Sequence, residues 1–163
     1  MSSTLVIEPV HKIIQVKAPI AHAFDVFTTG LTRWWPRNHG IGPKPIAKVL
    51  MEPKLGGRWL EFADDGTETV VATIIDWDRP RRLVLRWQVN AQWKPDPTMR
   101  SEVDVRFTAD DPHTTTVDLL HHKFETLGPE DGASMRKDVA GGWPNMLDRF
   151  AAAAASTAPR PTV

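Results

Sequence analysis

Cysteine and tyrosine are absent from this chain of 163 residues, and charge of neither sign is in excess. Without cysteine there is no disulfide framework and no thiol chemistry. Lysine plus arginine and aspartate plus glutamate stand at 20 each, so no basic field recommends nucleic acid or an anionic membrane as a partner. Long hydrophobic runs are missing too. No stretch approaches the ~20 apolar residues that a membrane helix requires, which argues against membrane insertion. Met1 to Val10 carries neither a positive leader nor an apolar run, and the expected location is cytoplasmic. Catalytic signatures are as scarce: there is no G-x-S-x-G elbow, no G-x-x-x-x-G-K loop, no G-x-G-x-x-G fingerprint and no H-E-x-x-H. Neither a cofactor nor a metal is expected.

Tryptophan, by contrast, is abundant. Seven residues, Trp34, Trp35, Trp59, Trp77, Trp87, Trp93 and Trp143, put a large ring on nearly every segment, each with an N–H that needs a partner when buried. Such rings either fill a core or wall a cavity for apolar or aromatic molecules. The length suits one hydrophobic core burying roughly 70% of the unfolded surface. A single domain is expected over 1–155, with a frayed tail over 156–163.

The hydrophobic period changes along the chain. Val10 to Lys17 reads as a strand, and Ala18-Pro19 opens a helix carrying Ile20, Ala23, Phe24 and Phe27, since proline at a helix start has no N–H to lose. A short second helix is expected to carry Leu31, Trp34 and Trp35 up to Pro36, followed by a Gly/Pro-rich loop over Asn38 to Pro45. Strands follow over Ile46 to Glu52, Arg58 to Phe62, Glu68 to Trp77, Leu83 to Val89, Val103 to Phe107 and Thr114 to His122. Leu83, Leu85, Trp87 and Val89 alternate with Val84, Arg86 and Gln88, which predicts one buried and one wet face. From about Pro129 to Ala155, Val139, Trp143, Met146 and Phe150 form a helical stripe. Gly141, Gly142 and Pro144 interrupt its propensity, predicting a kink or a late start near Gly142.

That order, with a curved antiparallel sheet around a long C-terminal helix and two short helices after the first strand, is an α+β architecture. Particular motifs carry a resemblance as well: Ala18-Pro19, Arg33-Trp34-Trp35, Pro53-Lys54-Leu55-Gly56-Gly57-Arg58-Trp59, Asp78-Arg79-Pro80-Arg81-Arg82-Leu83 leading into Trp87, Ser101-Glu102-Val103-Asp104-Val105, and Gly142-Trp143. In this order and spacing, from about Pro9 to Ala155, the chain resembles bacterial SRPBCC (START-like) proteins of the group related to the Hsp90 ATPase activator's C-terminal domain. The resemblance implies the helix-grip, or Bet v 1-like, fold, with a cavity between the sheet and the last helix. Members of that superfamily bind lipids, sterols and polyketides, and some are cyclases, so the fold selects no single activity.

Candidate ligand-binding residues are Trp34, Trp35, Trp59, Leu85, Trp87, Val105, Phe107, Val117, Leu119, His121, Trp143, Met146 and Phe150. Filling a core is the competing role for each. Neighbours on a helix differ by ~100°, so one of Trp34 and Trp35 is expected at the pocket mouth and the other on the surface. His121 and His122 point to opposite faces of a strand and cannot chelate one ion together. His121 either orients a ligand or is a core histidine bonded to backbone. His39 reads as a solvated loop residue, and Arg79, Arg81 and Arg82 as a solvated turn. The faces of Glu61 and Asp76 are not assigned.

Three functions follow. The first is binding or transport of a small hydrophobic or aromatic molecule. The second is an enzyme, a cyclase or hydrolase, on an apolar substrate in the same cavity. The third is a co-chaperone-like protein-binding module, although Hsp90 itself is not an expected partner because the chain has no room for the activator's additional N-terminal domain. A homodimer is compatible with each of the three.

Overall fold

The computed structural model describes residues 6–159. Met1–Leu5, part of the stretch read as lacking a leader, and 160–163, the end of the expected tail, lie outside the described residues. Strand β1 is Val10–Val16, helix α1 is Ile20–Phe27, and β2 to β7 are Lys48–Met51, Arg58–Phe62, Glu68–Asp78, Arg82–Trp87, Ser101–Asp111 and Thr114–His122. The long helix α2 is Pro129–Thr157. The seven strands form one antiparallel sheet in the order β1-β7-β6-β5-β4-β3-β2, so β1 closes the far edge against β7 and every other pairing is between neighbours in sequence. This is the helix-grip α+β fold. No described helix is long and apolar enough to cross a membrane.

Alternation builds the sheet's inner face. On β7, Thr115, Val117, Leu119 and His121 are buried while Thr114, Thr116, Asp118, Leu120 and His122 are half-buried on the other side. Register then aligns β6 and β5 with them: Val105 lies opposite Leu119 and Leu83, and Val103 opposite His121 and Leu85. Three bulges interrupt the period, one of them at Asp110 near the turn between β6 and β7 and two in β4. Val71 is skipped between Trp59↔Ala72 and Leu60↔Val70, and Ile75 between Ile74↔Leu85 and Asp76↔Val84. An unpaired residue bends its strand and increases local twist, which helps the sheet curl around α2.

Several expectations are corrected. The second short helix is only a 3-10 turn, Leu31–Arg33. Trp34 has left helical geometry at φ −125° and ψ −17°, so the ~100° rule does not apply to the pair. Both rings are buried, Trp34 completely. Of the kink or late start expected near Gly142, the late start does not occur: helix α2 starts at Pro129 as read, runs continuously through Pro144 and ends at Thr157, two residues past the expected limit. The outer face of β5 is not simply wet, because Val84 and Gln88 are buried there. The arginine turn does stay solvated, with Arg79 and Arg81 exposed, and it also carries ion pairs: Arg79 with Asp25, Arg81 with Asp78, and Arg82 with Asp104 and Asp76.

Candidate functional site

Aromatic rings divide the interior into two parts. In the first, Phe24, Phe27, Phe107, Trp34 and Phe150 pack edge to face or tilted with centroids 5.1–5.8 Å apart. The Trp34 N–H donates to the Val26 carbonyl at 2.9 Å, and Arg149 on α2 donates to the Trp34 carbonyl at 2.8 Å. This half is solid. In the second half, Trp35 meets Trp59 at 4.6 Å, Trp59 meets Trp87 at 5.4 Å, and Trp143 closes the circuit at 6.1 Å from Trp87 and 6.4 Å from Trp35. Small residues make room for it: across the sheet, Trp59 and Trp87 both lie opposite Ala72, and Trp87 lies opposite Ser101 on its other side.

A cavity of about 330 Å³ opens above this second circuit, walled by Trp35, Trp87, Trp93, Trp143, the segment Asn38–Ile41 and the α2 residues Asp138, Val139, Gly142 and Met146. The α2 positions recur every three or four residues, one stripe of the helix. Gly142 matters because a methyl group there would meet nothing within 4 Å. Exposed Asn38, His39 and Asp138 mark the open side. The cavity is therefore apolar at its base and polar at its mouth.

Of the thirteen candidate residues, Trp35, Trp87, Trp143 and Met146 line this cavity. Leu85, Val105, Phe107, Val117, Leu119 and Phe150 face inward as expected but are packed in the core at 0–3% exposure, as is Trp34. Alternation tells which side of a strand points in; it does not tell where along the strand α1 and the end of α2 have filled the space. Trp59 forms a second layer beneath Trp35 and Trp87, fully buried. Among the described residues, the N–H groups of Trp35, Trp59 and Trp87 are buried without a hydrogen-bond partner.

His121 also lies behind the lining, fully buried. Its Nδ1 accepts the Trp143 N–H at 3.1 Å, and its Nε2 lies 3.4 Å from the Ser101 hydroxyl. Indole nitrogen can only donate, so Nδ1 is the bare nitrogen and Nε2 carries the proton. Burial, helped by the neighbouring His122, pushes the imidazole pKa down to about 3. His121 is thus a neutral post that fixes the Trp143 ring; its partners are side chains, not backbone. Among the described residues, no three His, Cys, Asp or Glu side chains gather as a metal site.

Three features of the site escaped the sequence. Glu61 faces inward, 4% exposed, and its carboxylate accepts the backbone N–H groups of Ile41 and Gly42 at 3.0–3.1 Å. Burial pushes its pKa up, and the two N–H donors pull it part of the way back. Glu61 thereby clamps the loop that forms one wall. His39, read as a plain loop residue, sits in the cavity lining with Nδ1 at 3.0 Å from Asn38 Oδ1. Trp93 lies on the rim and donates its N–H to Asp138 Oδ2 at 3.0 Å. Its φ of 58° is left-handed, which costs a non-glycine residue ~1–2 kcal/mol. Asn90 holds it there: its carbonyl accepts the Trp93 N–H at 2.9 Å, and its side-chain oxygen accepts those of Gln92 and Lys94 at 3.0 Å. The Asn90 side chain with a bulky residue three positions on was the one sequence signal available.

The family model described as "Activator of Hsp90 ATPase homolog 1-like protein" matches residues 17–155. Among solved structures, an anthrahydroquino-gamma-pyrone synthase, Txn09, is 35% identical with a TM-score of 0.64, covering 90% of this chain and 97% of its own. CalC from Micromonospora echinospora, a self-sacrificing resistance protein, is 31% identical with a TM-score of 0.69, covering 94% and 97%. The Aha1 dimer from Colwellia psychrerythraea, at 14% identity and a TM-score of 0.62, covers 91% and 97% and is a likeness of fold alone. No curated protein matches the chain.

Proposed function

The chain belongs to the activator of Hsp90 ATPase homolog 1-like family within the SRPBCC proteins, and from that premise we propose that it binds a small, flat, hydrophobic or aromatic molecule in the tryptophan-lined cavity. The observation that carries this reading is the contrast between the two halves of the interior: one is packed solid, whereas the other leaves about 330 Å³ between four tryptophans and a glycine-bearing stripe of α2. That volume lies at the lower end of the ~300–1,000 Å³ range of small-molecule sites.

Gly142 gives the direct test. Because its Cβ direction is empty, Gly142→Leu is expected to fill the cavity from the helix side without displacing packed neighbours. Native mass spectrometry of protein taken from cells should show an added small-molecule mass in the wild type and none in the variant. The fluorescent probe 1-aminoanthracene should bind the wild type and lose at least tenfold in affinity for Gly142→Leu, with unfolding free energies within about 1 kcal/mol of each other, the glycine-to-helix-former difference. Equal probe binding by both proteins would refute the assignment of the site.

A second reading, catalysis on such a molecule, is favoured by the rim. Asn38 Oδ1 can only accept, so His39 donates from Nδ1 and its Nε2 is left to take a proton from a bound substrate. The likeness at 35% identity to a synthase adds to it. Conversion of the retained molecule by wild type but not by a His39→Ala variant that still binds it would favour this reading. For the co-chaperone alternative, the likeness to Aha1 extends to the fold only.

A further inference from the structure

Asp138 is the only carboxylate or permanently charged side chain among the residues that line the cavity. Some of the chain's carboxylates are set against cations, such as Glu52 by Arg58, Asp25 by Arg79, Asp78 by Arg81 and Asp104 by Arg82, and none of these lines the cavity. Asp138 has no cationic partner among the described residues; its oxygen is held by the Trp93 indole N–H instead. Lys94 and Lys137 adjoin the pair in sequence, yet neither lines the cavity nor pairs with Asp138. The contact also holds Trp93 in place, for this ring stays 37% exposed on a left-handed backbone. Strained conformations held by their surroundings cluster at ligand clamps.

Indole rings carry a negative face that attracts cations, and four of them line this cavity beside an uncompensated carboxylate. An anionic guest would meet repulsion at the mouth, whereas a positive group would gain from both. We infer that the ligand class is an aromatic ring system bearing a protonated amine, with its rings at the tryptophan base and its amine at Asp138 beside Trp93. This rests on the binding reading above and specifies what the mouth selects.

The test uses three naphthalenes of one shape: 1-naphthylmethylamine, 1-naphthalenemethanol and 1-naphthoate, each competing with 1-aminoanthracene for the wild-type protein and for Asp138→Asn. The substitution keeps an oxygen to accept the Trp93 N–H and removes only the charge. In the wild type the amine should bind about fivefold tighter than the alcohol, the scale of an exposed ion pair with a cation beside an indole, and the naphthoate weaker than both. In Asp138→Asn the amine's advantage should disappear while the alcohol's affinity stays unchanged, and added salt should erase the wild-type preference in the same way. Equal binding of amine and alcohol by the wild type, or tightest binding of the naphthoate, overturns the charge selection and leaves the cavity assignment standing. Failure of all three to bind overturns both.

Discussion

The imidazole of His121 has its tautomer set by a neighbour that can only donate, and its charge state set by the sheet that buries it. Protonating Nδ1 would remove the acceptor of the Trp143 N–H and place two donors 3.1 Å apart in a dry interior. The consequence is a stability change with a definite sign. The unfolded chain takes up this proton as pH falls through 6.5, while the folded chain resists until about 3. Over that window the unfolded state binds more protons, so stability is intact above 6.5 and falls with acidification. His121 alone should make the protein about 2 kcal/mol less stable at pH 5 than at pH 8. His121→Gln, which keeps an acceptor for Trp143, should lose that share of the pH dependence. Urea unfolding at the two pH values measures it; equal pH slopes in the two proteins would show that His121 is not responsible.

Elements were legible where one period ran unbroken and illegible where it did not. Alternation placed Arg58–Phe62 and Thr114–His122 with the bounds found, and the apolar stripe placed α2. Bulges defeated it elsewhere: the extra residue at Ile75 lets Ile74 and Trp77 both face inward three positions apart, opposite Leu85 and Leu83. Through Ile74, Asp76 and Trp77, period-2 reasoning therefore could not assign faces; Glu61 shares the inward face of Trp59 two positions away on an uninterrupted β3, but a run with Trp59, Leu60 and Glu61 all buried gives no polar alternation to read. The late-start alternative for α2 failed for an energetic reason. Two glycines and a proline cost ~5 kcal/mol of propensity, but Val139, Trp143, Met146, Leu147 and Phe150 are all buried, at ~1.5–3 kcal/mol each. Burial wins. The wall loop depends on a smaller balance, because its Ile41 and Gly42 N–H groups rest on one carboxylate. Glu61→Ala should cost about 2 kcal/mol, the scale of a charged hydrogen bond lost. Glu61→Gln should cost less, since Oε1 alone already accepts both N–H groups. Hydrogen exchange at the Ile41 and Gly42 amides checks the cause: faster exchange in the alanine variant confined to this loop is expected, and unchanged protection would place the clamp elsewhere.

Across the whole molecule, packed rings and the cavity lie at opposite ends of the same interior, and Trp34 and Trp35 are the junction. Consecutive residues with ring centroids 5.8 Å apart, they face different neighbours: Trp34 packs on Phe27 and Phe150, Trp35 on Trp59, Trp143 and, at 6.4 Å, His39 of the wall loop. Only Trp35 lines the cavity, and its N–H has no partner to lose. We propose that this ring, which reaches from the base to His39 at the mouth, gates entry by packing rather than by a hydrogen bond. The smaller ring of Trp35→Phe should therefore leave a gap through which a guest enters and leaves sooner. Stopped-flow fluorescence with 1-aminoanthracene should find both association and dissociation faster by about threefold or more, with a change in affinity smaller than either, because lids and rims commonly control rates. Phe107→Leu is the control from the solid end. It removes edge contacts to Phe24 and Phe27, each worth ~0.5–1.5 kcal/mol beyond area, so it should lower stability by about 2 kcal/mol while leaving both rate constants within twofold. If instead Trp35→Phe changes stability and not rates, its ring belongs to the packed half and the entrance is formed by Trp93 and the wall loop.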